Sequence, residues 1–160
     1  MINIATHIPW PPVDDEARSI IDDPIYEVVD MMNRAGFHTV WSCCGYGDDA
    51  NGKPHRVSET PFVKFEAKID LVDRLLAELD NISETDKLMD EYHGIELFYQ
   101  GKDQWCLRLS PETVECFIGN HRNCGAPEPE VFIKRSFIAM LDGALNRLLI
   151  KLEQEREVNL

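Results

Sequence analysis

The chain has 160 residues, of which 44% are hydrophobic and 28% charged, with a formal net charge of −13. That length supports one domain with a buried core, and its stock of Leu, Ile, Val and Phe excludes intrinsic disorder. No apolar run approaches the roughly 18 residues that span a bilayer, and Met1 to His7 shows no basic stretch followed by a long apolar one, so a cytoplasmic protein away from any membrane is expected.

Residues 1–22 read as an extended arm, because Pro9-Trp10-Pro11-Pro12 suits neither a helix interior nor a central strand. Asp23-Pro24 has the form of a helix start, an N-cap acid followed by proline. Ile25, Val28, Val29 and Met32 then recur at helical spacing, and Gly36 supplies the stop. Phe37 to Ser42 is β-branched and aromatic, a short strand running into Cys43-Cys44-Gly45-Tyr46-Gly47. Residues 47–60 form a polar loop, and Phe62 to Glu66 alternates as a second strand.

Ile69, Val72, Leu75, Leu76 and Leu79 predict an amphipathic helix, and Ser83 with Asp86 a short one ending near Gly94. Ile95–Tyr99 and Gln104–Leu109 flank Gln100-Gly101-Lys102-Asp103, a hairpin signature. Ser110-Pro111-Glu112 opens another short helix, Gly119 to Pro129 is a loop, and a long helix runs from about Glu130 into the 150s. The fold class is therefore α+β: one domain with a mostly antiparallel sheet of four or five strands, packed by helices. The last helix carries Phe137, Met140, Leu141, Leu145, Leu148 and Leu152 on one stripe, enough for core packing or for a homodimer.

Residues 1–60 hold 10 acids against 4 bases, and residues 61–115 hold 13 against 6. Such a field argues against nucleic acid as a partner unless a basic patch overrides it, and only Arg122, Lys134 and Arg135 suggest one. The converse partner is a basic host protein, met by an acidic inhibitor surface. The five cysteines, at 43, 44, 106, 116 and 124, are expected to be reduced thiols.

Residues 42–47 are the informative segment. Two glycines within four residues after a strand permit positive φ, close approach to a ligand, and a nest of N–H groups that binds anions. Ser42, Cys43, Cys44, Gly45, Tyr46 and Gly47, with Arg108 opposite, are accordingly the candidate ligand-binding residues for a nucleotide-like or other anionic small molecule, with Tyr46 or Trp41 as the ring that stacks on a base. Asp48 and Asp49 would hold a cation or a ribose, although adjacent acids in a polar loop are ordinarily just solvated. Cys44 is the candidate nucleophile of an enzyme, with His38, His55, His93 or His121 as its base. Cys116, His121 and Cys124 are candidate zinc ligands, completed by Cys43, Cys44 or His55.

The run from Ala35-Gly36-Phe37-His38-Thr39 through Ser42-Cys43-Cys44-Gly45-Tyr46, with Pro61 to Phe65, resembles a group of small uncharacterised phage and bacterial proteins. Tyr46 stands where that group usually has His. More distantly, the Ser-Cys-x-Gly element is similar to the signature loop of the tRNA wybutosine-synthesis methyltransferase family, without the Arg that follows its Gly. The resemblance covers about 35 residues. It implies a ligand site at the loop and, from the phage-like group, a role on a host pathway such as capture of a defence signalling nucleotide.

Overall fold

The computed structural model describes residues 21–48, 51–56, 58–80, 94–121 and 128–158. A single 3-10 turn, Asp23–Ile25, leads into helix α1 (Tyr26–Ala35). There follow strands β1 (His38–Cys43) and β2 (Phe62–Glu66), helix α2 (Ile69–Asp80), strands β3 (Ile95–Gly101) and β4 (Gln104–Leu109), and helices α3 (Pro111–His121) and α4 (Pro129–Val158). The four strands form one antiparallel sheet in the order β1-β2-β4-β3. This is the expected α+β architecture. The expected short helix at Ser83 and Asp86 lies outside the described residues, as do most of the arm and Cys124.

Helix ends follow local chemistry. Gly36, at φ +106°, closes α1: its N–H donates to Asn33 O, and the Phe37 N–H reaches back to Met32 O at 2.9 Å, a Schellman ending that uses glycine's access to positive φ. The helix start differs from expectation. Asp22, not Asp23, occupies the position before the 3-10 turn, and it makes no side-chain cap; its carboxylate is used across the fold instead. The short helix after Ser110 runs on to His121, two residues past the Gly119 at which a loop was expected, because an exposed glycine near a helix end costs too little to stop it.

In the hairpin joining β3 to β4, Lys102 and Asp103 both have positive φ, +52° and +60°, which is the type I′ geometry that matches strand twist. Pairing of β2 with β4 then aligns Phe62 with Arg108, Lys64 with Cys106 and Phe65 with Trp105. Val63, Phe65, Trp105, Leu107 and Leu109 point to a core shared with α1, α2 and α4. Helix α4 packs on α1, α2 and α3, and Phe137, Leu141, Leu145 and Leu148 of its stripe are buried.

The opposite face of the sheet is open. A bulge between Thr39 and Trp41 shifts the register of β1, so that Thr39 faces the core with Phe65 while Trp41 and Cys43 join Lys64 and Phe62 on the outer face. Without that extra residue the period of two would bury Trp41. Trp41 is instead 49% exposed, and Phe98 is 43% exposed.

Candidate functional site

The turn after β1 is held from three directions. Gly45 has φ +76° and Gly47 φ +64°, and a Cβ at Gly45 would lie 2.7 Å from Pro61 N, so only glycine fits where the turn crosses the start of β2. From α4, the fully buried Lys134 donates from Nζ to Gly45 O at 2.6 Å and to Glu130 Oε1 at 2.8 Å. Asp22 Oδ2 accepts the Cys44 N–H at 3.0 Å. One N–H of the expected anion nest is thereby given to a carboxylate of the chain itself.

The polar loop that follows folds back on the turn. An isolated bridge pairs Asp48 with Pro54, and the His55 N–H donates to Gly47 O at 2.8 Å. Imidazole Nδ1 is 3.1 Å from the same carbonyl. A carbonyl can only accept, so Nδ1 carries a proton. Nε2 then points at Cys43 Sγ, 3.2 Å away, and at Asp22 Oδ2, 3.5 Å away. The His55 and Asp22 side chains are only 5% and 7% exposed.

Cys44 is buried, and its thiol donates to Tyr46 O at 3.2 Å. Burial pushes its pKa up to about 12, and burial likewise pushes Cys43 up to about 11, with Asp22 adding to both. A thiol in this setting is held protonated, which is the reverse of what an activated nucleophile needs.

Beside this cluster the open sheet face forms a cleft of about 720 Å³. Its floor is Trp41, Phe62, Lys64, Cys106 and Arg108; Ser42, Cys43, His55, Lys53, Arg56, Glu59 and Asp22 contribute to its walls. The Trp41 and Phe62 rings lie 6.4 Å apart, with Lys64 Nζ 5.8 Å and 6.0 Å from their centroids. Lys64 makes no ion pair among the described residues. Arg108 donates from Nε to Glu96 at 2.7 Å and lies 4.8 Å over the Phe98 ring. That pairing positions the guanidinium, and the terminal nitrogens make no other hydrogen bond among the described residues.

Of the residues expected to bind a ligand, Ser42, Cys43 and Arg108 line this cleft, whereas Cys44, Gly45, Tyr46 and Gly47 do not. Tyr46 packs against the core under Arg135, whose Cζ is 5.5 Å from the ring centroid. Asp22, Lys64 and Phe62 are absent from the expected set, whereas Trp41, expected with Tyr46 as a ring for a base to stack on, lines the cleft. Of the expected zinc ligands, Cys116 is exposed on α3, while His121 stacks on Phe117 and bonds to Phe117 O through Nδ1. The expected patch of Arg122, Lys134 and Arg135 does not form as a surface: Lys134 is fully buried, and Arg122 lies outside the described residues.

Comparison with known proteins returns no matching family model, no curated relative and no solved structure. No helix among the described residues is long and apolar enough to cross a membrane.

Proposed function

We propose that this chain binds a nucleotide-like small molecule, aromatic at one end and anionic at the other, in the cleft on the open face of the sheet. The observation that carries this reading is the local reversal of charge. In a chain of formal net charge −13, the cleft is lined by four bases, Lys53, Arg56, Lys64 and Arg108, against two acids, Asp22 and Glu59. Even with Glu96, which pairs with Arg108 from beside the lining, the bases are in excess. Low-dielectric walls focus that field on an anion. Trp41 and Phe62 add exposed π faces beside the Lys64 ammonium, and stacking on a base contributes about 1–3 kcal/mol. The volume falls within the roughly 300–1,000 Å³ of small-molecule sites. Capture of a signalling nucleotide, which the loop's resemblance implies, is one use of such a site.

Calorimetric titration with AMP, GMP, CMP, UMP and a cyclic dinucleotide tests the reading. At least one probe is expected to bind saturably. Lys64→Glu and Trp41→Ala, both on the outer face, are each expected to weaken that probe at least about tenfold, the scale of one charge-assisted contact or one stacked ring. Thermal melts of both variants should match the parent chain. Absence of binding by every probe, or affinities unchanged by both variants, refutes it.

A further inference from the structure

We propose that Asp22, Cys44 and His55 constitute a zinc site beside the cleft. The ligand reading rests on Lys64, Trp41, Phe62 and Arg108, whereas this proposal rests on Asp22, Cys44 and His55, of which Asp22 and His55 also border the cleft. The ligating atoms of Asp22, Cys44 and His55 all lie within 4.8 Å of one another; Cys43 Sγ, 3.2 Å from His55 Nε2, stands outside that group. Tetrahedral zinc places nitrogen and oxygen ligands about 3.4 Å apart, given bond lengths of about 2.0–2.2 Å. Asp22 Oδ2 and His55 Nε2 are 3.5 Å apart.

The surroundings orient each donor toward the ion. Because His55 Nδ1 donates to Gly47 O, Nε2 is the ring nitrogen that faces the cluster, 3.5 Å from Asp22 Oδ2. The carbonyl that fixes the imidazole and the Cys44 N–H that holds Asp22 Oδ2 are the outer-shell partners that metal-ligating His and carboxylate groups use. The donors come from three separate stretches: the residue before the 3-10 turn, the turn after β1, and a loop brought back by the Asp48–Pro54 bridge. Burial distinguishes the group from ordinary surface acids, since Cys44 has no exposed surface and Asp22 and His55 almost none.

The donor chemistry selects the metal. One sulfur, one imidazole nitrogen and one carboxylate oxygen suit a borderline divalent ion and disfavour Mg²⁺ and Ca²⁺, which take oxygen shells. Three protein donors leave the fourth tetrahedral position open to water or another ligand. The Cys44 thiol passes its proton to solvent as the metal–sulfur bond forms.

Elemental analysis of the freshly purified chain, followed by zinc titration of chelator-stripped protein against a chromophoric chelator, tests the site. One zinc per chain is expected, with Co²⁺ in its place giving a thiolate-to-cobalt charge-transfer band and tetrahedral visible bands. His55→Ala and Cys44→Ser are each expected to weaken zinc at least about 100-fold, beyond the loss of an outer-shell partner, whereas Cys116→Ser and the cleft variant Lys64→Glu should retain it. The wild-type titration and the cobalt spectrum need no variant, so they decide the matter even where a substitution prevents folding. Substoichiometric or absent zinc binding, a cobalt spectrum without the thiolate band, or loss of metal from Cys116→Ser alone overturns the proposal.

Discussion

Replacing Gly45 by alanine tests whether its close approach to the start of β2 is what fixes the turn. The new Cβ would lie 2.7 Å from Pro61 N and 2.8 Å from both Pro61 Cδ and Thr60 C. Two of these are backbone atoms and the third belongs to a rigid ring, so the backbone itself must move. Gly47 is the internal control: its φ of +64° is similar, yet a Cβ there meets nothing within 4 Å. Both substitutions incur the left-handed penalty of about 1–2 kcal/mol. Only Gly45→Ala adds an overpacking cost of about 1–3 kcal/mol. The expected losses are therefore about 1–2 kcal/mol for Gly47→Ala and about 2–5 kcal/mol for Gly45→Ala, read from urea unfolding midpoints at constant slope. Equal losses for the two variants would refute the reasoning, because the steric contribution would then be absent.

Two further predictions concern buried charge. Hydrogen bonds from Lys151 and Arg147 hold the Glu78 carboxyl below the usual carboxylate range. A depressed folded-state pKa gives stability that is present above the unfolded value of about 4.3 and is lost as pH falls through the folded value. Glu78→Gln is thus expected to lower stability by about 1 kcal/mol at pH 7, discounted because Arg147 and Lys151 are 34% and 55% exposed, and to flatten the acid limb of a stability–pH profile; an unchanged profile counts against it. Lys134→Met removes the donor to Gly45 O and strands the 24% exposed Glu130, for an expected loss of about 2–3 kcal/mol by chemical unfolding. The double variant with Glu130→Gln should lose less than the sum of the two single changes, and strict additivity would deny the pair's coupling.

The elements were legible because each depends on its own neighbours: the Gly36 stop, the hairpin residues 100–103 and the period-two pattern of Phe62 to Glu66 act within a few residues. The strand order was not, since pairing of β2 with β4 joins segments about 40 residues apart through packing alone. The turn after β1 stood out for its paired cysteines and spaced glycines. Trp41 was legible as a stacking ring, but the bulge that turns it outward beside Phe62 and Lys64 leaves no mark in a strand of such residues. His55 was one of several histidines with no fixed spacing to the turn. Asp22 was obscured by its neighbour, because Asp23-Pro24 satisfied the usual cap pattern and left the preceding acid without a reason. A signal for Lys134 did exist: it falls at helical spacing with Phe137, Leu141 and Leu145, so its stem belongs to the buried stripe and not to a basic surface.

The reach of α4 ties distant parts of the molecule into one cooperative unit. Lys134 near its first turns is bonded to the Gly45 carbonyl. Arg147, Lys151 and Glu155 farther along grip Glu78 and Arg74 of α2. At about 1.5 Å per residue, some 30 Å of a single rod separates the first of these anchors from the last. Turns of this kind on other scaffolds open by local fraying, at little free energy. Here the turn cannot release Gly45 without either dislodging the helix or leaving an ammonium stranded in the interior. Amide exchange in the turn is therefore expected to run at the rate of the helix it is pinned to, and motion at the cleft becomes a property of the whole helical layer.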